Sequence, residues 1–351
     1  MSVDNPTAEL RTWFSPKAAR MLFVGALLGA TLLPVLATLI YYGNTSAYFG
    51  VAFLGAIAST HVVATLYLLT DPDVRSYVWN NPVRMGLAPG VLVAIFAVAF
   101  SMPGTAFFAA VVLAVFLYQT WHFGAQNIGV ASFVSFCERR RPLDLIEKRA
   151  IRGGIFCGMA GILFAMPPTF GYAPEQVPVP QPVRDLLAAA YTAGSVAAVA
   201  LGAIALFLSW RAVKGGHFAT AIILVTSICF FFPMYVSTDF LFAIGMFSTA
   251  HGLQYIVFLA AHSASPTAPT RSALKFGFLV APGLLAAIML IAHLFRKDLI
   301  AVSHQNLPLL GSMLMGSLTM THFWVDQYLW KMKTRGSWLK ARYSFIFSGP
   351  H

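Results

Sequence analysis

Four histidines, His61, His122, His251 and His322, each lie deep inside a long apolar stretch. An imidazole in such a setting is costly to bury and marks a functional site with a partner. Neutral imidazole nitrogen is a good ligand for iron, copper and zinc, whereas magnesium and calcium prefer oxygen. Four rings without a thiolate point to a metal centre, with non-haem ferrous iron first and zinc or copper behind it. Any one of these histidines taken alone reads equally well as a hydrogen-bonded core residue. The common depth of all four favours a shared ion.

A second polar layer follows one helical turn on. Thr65 is four residues after His61, Gln126 after His122, Tyr255 after His251 and Asp326 after His322. Residues at i and i+4 share a helix face, and a ligating histidine usually gives its other ring nitrogen to a carboxylate, amide or hydroxyl. Asp326, Tyr255 and Gln126 are therefore the expected catalytic or supporting groups, with Asp326 either orienting His322 or binding metal itself. Tyr118, Gln119, Asn127 and Gln254 add polar groups to the same helices. His217, His262, His293, His304 and His351 read as interfacial or solvated residues.

The elements that must carry these groups are transmembrane helices. Hydrophobic residues make up 58% of the 351 and charged residues only 10%, against about 25% charged in a soluble domain. A span needs roughly 20 apolar residues. About ten stretches qualify: 21–42, 47–70, 86–102, 105–136, 149–166, 186–210, 217–235, 240–262, 275–295 and 307–330. The expected fold class is all-α: a single polytopic bundle over 21–331, between an N-terminal segment 1–20 and a basic tail 332–351. The third and fifth stretches are short, bounded by Pro89 and Pro103 and by Pro167–Pro168. The fourth is over-long, so it should tilt, protrude, or break near Gly124 or Gly129.

Orientation follows from the cations. With both termini cytoplasmic, 20 of the 23 Lys and Arg fall inside, and only Arg184, Arg296 and Lys297 fall outside. That asymmetry is the membrane-orientation signature, so the net charge of +11 needs no nucleic acid partner. The expected location is a bacterial inner membrane. No cleavable signal is evident, because residues 1–20 are polar. All four histidines fall on even-numbered spans, about 8 to 14 residues from the cytoplasmic end, which is one layer to within a turn or two.

Other features lean structural. Cys137, Cys157 and Cys229 have no CxxC spacing and read as small buried hydrophobes. Arg139–Arg141 reads as an anchor against anionic lipid. Trp324, Trp330 and Trp338 read as an interfacial belt. Trp121 and Phe123 flank His122 as core filling or as pocket walls. Gly153, Gly154, Gly158 and Gly161 allow close helix contact. The proline-rich segment from Pro167 to Arg184 reads as an ordered external strap or a plain connector.

The segment Tyr118-Gln-Thr-Trp-His-Phe-Gly124 resembles the W-H-F-G signature of the Brp/Blh family, membrane proteins that cleave β-carotene to retinal. The resemblance implies a catalytic iron held by histidines on several spans, with His122 as the most direct carry-over and His61 and His251 by analogous placement. The family's H-G-x-x-D setting is replaced here by His61-Val-Val-Ala-Thr65, and its acidic residues after W-H-F-G by Ala125-Gln126-Asn127. The chain also has two or three more spans. These departures leave room for a lipid other than carotene.

The leading expectation is an iron-dependent membrane oxygenase that takes dioxygen and a lipid, isoprenoid, carotenoid or unsaturated acyl chain sideways from the bilayer. An electron donor is a further partner such chemistry can require. The clustered HxxxH and HxxHH boxes of the usual membrane desaturases do not occur. Two readings from other classes stand beside it: a haem-binding electron carrier, and a transporter with a midplane His/Asp site.

Overall fold

The computed structural model describes residues 16–40, 61–62, 64–65, 67–102, 105–169, 181–237, 240–263, 277, 307–329 and 343. Every element among them is helical: α1 Pro16–Ile40, α2 Pro72–Trp79, α3 Ala88–Ser101, α4 Ala106–Arg139, α5 Leu145–Thr169, α6 Gln181–Lys214, α7 Phe218–Ile228, α8 Pro233–Val236, α9 Phe240–Ser263 and α10 Leu307–Leu329. A further helical segment carries His61 to Leu68. Three helices are long and apolar enough to cross a membrane, namely α4, α6 and Ala243–Ser263 within α9. Residues 47–60 of the second expected stretch, the ninth apart from Gly277, the strap over 170–180 and all of the tail but Tyr343 lie outside the described residues.

Several boundaries differ from the hydropathy reading. The third stretch is preceded by α2, which lies in what reads as a loop. Asp71 starts it, accepting a hydrogen bond from Asp73 N at 2.9 Å, with Pro72 at the first helical position. The chain then bends by 95° into a π-helical turn, Val83–Leu87, that leads on to α3. Asn81–Pro82 stands at this bend, where proline disfavours helix at the residue before it. The seventh stretch is also broken: α7 has only 11 residues and a turn at Cys229–Phe232 separates it from α8. The fourth, by contrast, is one unbroken helix of 34 residues. At 1.5 Å per residue it is about 51 Å long, well beyond a hydrocarbon core of about 30 Å. The fifth starts at Leu145 and continues through Pro167–Pro168 to Thr169.

Helix ends are fixed by caps. Asp144 and Glu147 form a reciprocal box, Glu147 N donating to Asp144 Oδ1 at 2.9 Å and Asp144 N to Glu147 Oε2 at 2.8 Å. Glu147 also takes a two-pronged ion pair from Arg139 at 2.7 and 2.9 Å, with both side chains buried. Arg139 is therefore a tie between α4 and α5, not a lipid anchor; of the run, Arg140 and Arg141 are the exposed members. Glu138 accepts from Ala219 N, Thr220 N and Thr220 Oγ1 at 3.1, 2.8 and 2.7 Å, which caps α7 across the bundle.

The small residues of α5 do what their spacing implies. A Cβ on Gly158 would collide with the Phe231 ring, and one on Gly154 with the carbonyl of Ile228, the last residue of α7. Backbone against backbone cannot be relieved by a rotamer change. Gly154→Ala should lower stability by about 1–3 kcal/mol. Gly25→Ala, where a Cβ meets nothing within 4 Å, should leave the midpoint unchanged or slightly raised. Thermal unfolding in detergent checks both, and equal midpoints would remove the close approach.

Candidate metal centre

Four separate elements bring the four imidazoles together. His61 comes from the 61–68 segment, His122 from α4, His251 from α9 and His322 from α10. All are buried, between 1% and 7% exposed. Ring centres are 4.6 Å apart for His61–His251, 4.6 Å for His61–His322 and 4.8 Å for His122–His251. His122–His322 and His251–His322 are 5.7 and 6.1 Å apart. Two imidazoles bound to one ion through bonds of about 2.1 Å hold their ring centres roughly 4.5–5.5 Å apart. The cluster is thus near the spacing a common ion needs.

Two overlapping ligand groups arise within it: His61, His251 and His322, and His122, His322 and Asp326. In each, one ligand atom per residue lies within 4.8 Å of the others. The nitrogens also lack other work. Both ring nitrogens of His251, Nε2 of His122 and Nε2 of His322 are buried with no hydrogen-bond partner. A buried polar group left so costs about 1–3 kcal/mol. Several of them facing one another is the condition a cation relieves.

His322 shows how its free nitrogen is kept available. Its Nδ1 lies 2.6 Å from Thr65 Oγ1, which is also 3.1 Å from Tyr255 Oη and 3.2 Å from the His61 carbonyl. If Thr65 donated to Nδ1, the ring would carry its proton on Nε2, buried without an acceptor. The satisfied arrangement is Nδ1–H donating to Thr65, Thr65 donating onward, and a lone pair on Nε2. Because His322 has one open nitrogen and belongs to both groups, the arrangement suits one ion rather than two.

The supporting residues work across helices, not along them. Thr65 serves the ring of His322, although it is one turn from His61. Tyr255 reaches the site through Thr65, with its ring 5.1 Å from His322 and 5.7 Å from His61. Asp326 Oδ2 lies 3.7 Å from His122 Nε2, beyond hydrogen-bond range but within reach of a shared ion. Gln126 is engaged with the backbone and a side chain of α9 rather than with a ring. It donates to the His251 carbonyl at 3.0 Å and to Gln254 Oε1 at 2.9 Å. Gln254 donates in turn to Asn127 Oδ1 at 2.9 Å and Thr31 Oγ1 at 2.8 Å. This buried network locks α1, α4 and α9 beside the centre.

Two aromatic rings complete the enclosure. Phe323 stacks on His122 at 4.2 Å and Phe123 on His251 at 4.5 Å. Trp121, next to His122, instead lines a cavity of about 340 Å³ together with His122, Gln126, Phe133, Phe258 and Asp326. Phe323 and Thr31 carry no signal in the sequence, since neither stands at a distinctive spacing. His262 is a correction to the reading as solvated. It is fully buried, with Nε2 3.1 Å from Asp71 Oδ2, so it ties the end of α9 to the cap of α2.

In comparisons with known proteins, no family model, no curated protein and no solved structure matches the chain. Function must therefore be argued from the site.

Replacing His251, whose two nitrogens have no other role, with alanine should remove most bound metal. Thr65→Val should weaken metal affinity about 10–100-fold, the usual effect of losing a ligand's supporting bond, and Asp326→Asn should cost less than loss of a histidine. Elemental mass spectrometry of purified variants reads all three. Full metal content in His251→Ala would end the proposal of a shared ion.

Proposed function

We propose that this chain is an integral-membrane, non-haem iron oxygenase that acts on a hydrophobic lipid. The observation carrying this is four buried imidazoles from four elements, three of them (His122, His251 and His322) with unpartnered nitrogens, beside a cavity lined by His122 and Asp326. The donor set suits iron. His122, His322 and Asp326 are two histidines and one carboxylate, the composition that holds ferrous iron with open positions in many oxygenases. None of the three cysteines belongs to either ligand group. The mutual contact of the rings favours a bare ion over haem, since a porphyrin plane needs a slot between its axial ligands.

Ferrous iron bound there would supply dioxygen activation. The protein's part is to hold and to exclude. Thr65 and Tyr255 fix the His322 ring, and the Gln126–Gln254–Asn127 network fixes the spacing of α4 and α9. Phe123 and Phe323 keep water from the ring faces, and the cavity brings a lipid segment to the His122–Asp326 edge. The Trp121–Gly124 likeness to the Brp/Blh family supports an isoprenoid or carotenoid among the substrates, with an unsaturated acyl chain the alternative. The same reading takes the chain as a ten-span bundle with both termini in the cytoplasm, in a bacterial inner membrane.

Iron-loaded protein in vesicles of total bacterial lipid, supplied with isotopically heavy dioxygen, should transfer the label to a lipid product. Zinc-loaded protein and His122→Ala should not. A sharp Soret band from the purified protein would overturn the non-haem reading. Solute uptake driven by an imposed gradient, with no oxygen consumed, would replace it with a transporter.

A further inference from the structure

The cavity beside the metal centre has a wall of unusual composition. Trp121, Ala125 and Gly129 line it at successive turns of one α4 face. All three are exposed, Trp121 by 40%, so the side of the cavity they form is also an outer surface of the protein. Two of the three have the smallest side chains available. A Cβ built on Gly129 meets nothing within 4 Å, so no side chain among the described residues fills the gap.

Depth along α4 gives the surroundings of this gap. At 1.5 Å per residue, Gly129 lies about 15 Å and Trp121 about 27 Å along the axis from Arg139, the charged end of the helix. In a bilayer this is the level of acyl chains, below the headgroups at that end. At roughly 30 Å³ per non-hydrogen atom, the share of a water molecule in its liquid, the cavity of about 340 Å³ holds roughly eleven atoms. A long-chain lipid therefore fits only as a segment, with the remainder left outside.

The lining also sets the charge of what enters. Among the described residues it contains no Lys or Arg, and its titratable groups are His122, Tyr255 and Asp326. A phosphate or carboxylate brought inside would give up its hydration with no described Lys or Arg to pair with and the Asp326 carboxylate beside it, at a penalty of several kcal/mol. Gln327, another lining residue, donates to Tyr118 Oη at 3.1 Å, and Gln126 is engaged with α9.

We propose that Ala125 and Gly129 form a lateral entrance through which one uncharged hydrocarbon segment inserts from the leaflet at the Arg139 end, past Trp121 and against the paired rings of Phe133 and Phe258, to the His122–Asp326 edge. The proposal rests on the membrane-oxygenase reading and names where its lipid binds. Two probes test it in phosphatidylcholine vesicles: hexadecyl phosphate carrying a diazirine at the chain end, and the same molecule with the diazirine on the carbon beside the phosphate. On illumination the chain-end probe should label peptides containing Val130, Phe133 or Phe258, at least fivefold more than the head-end probe does. Gly129→Trp should cut that labelling at least tenfold, Ala125→Leu should reduce it, and Gly129→Ala should keep it, all with bound metal and thermal midpoint unchanged.

Unchanged labelling in Gly129→Trp, or equal labelling by the two probes, would overturn the entrance. The two claims fail separately. Labelling at these peptides in protein that binds no metal upholds the lipid site and sinks the oxygenase. Absence of labelling in metal-loaded protein sinks the lipid site alone.

Discussion

Imidazole nitrogens buried without partners are the constraint around which this bundle is organised. In an apolar interior every donor or acceptor must be satisfied by protein, water or an ion. His251 has neither ring nitrogen satisfied, and His122 and His322 each leave Nε2 open. Helices packed only for apolar contact would have no reason to converge such groups. The convergence also requires accurate helix placement, because a shift of one turn along α9 or α10 would move a ring by about 5.4 Å and take it out of reach.

That accuracy comes from polar ties more than from apolar packing. Between membrane helices apolar burial gives little direction, since lipid tails are as apolar as leucine, and small residues and interhelical hydrogen bonds set the geometry. Here the ties sit on both sides of the centre. Gln254 joins α9 to Thr31 and Asn127, Gln126 joins α4 to α9, and Arg139–Glu147 with Glu138 at the α7 cap fastens the charged end. His262–Asp71 and Tyr343, which donates to the Phe258 carbonyl at 2.8 Å, hold the end of α9. Apolar clusters fill the space between them, with Phe123 and Phe323 in one and Tyr255 in another.

Much of the site was legible because depth along a span is a property of sequence. His61, His122, His251 and His322 could be placed in one layer by counting, and Gly154 and Gly158 by their spacing. What counting could not supply was azimuth and neighbour. Residues at i and i+4 share a face, but the face does not say which ring from which helix it meets, so Thr65 pairs with His322 instead of its own neighbour. Hydropathy windows average over breaks, so the turn at Cys229–Phe232 leaves no trace in an apolar run. His262 and Arg139 were misread for a related reason: position near a span end suggests solvent, while burial depends on a distant carboxylate, Asp71 or Glu147.

Electrostatics explains why the constellation includes a carboxylate. Four neutral imidazoles around a divalent ion would leave two positive charges in a medium that solvates them poorly, at a cost of several kcal/mol per uncompensated charge. Asp326, 4% exposed and 3.7 Å from His122 Nε2, halves that charge where it stands. The same carboxylate without a cation would be the costly group. Ligands and counter-charge are therefore each unfavourable alone and mutually compensating together, so removal of the ion should loosen the centre as a unit rather than at one residue.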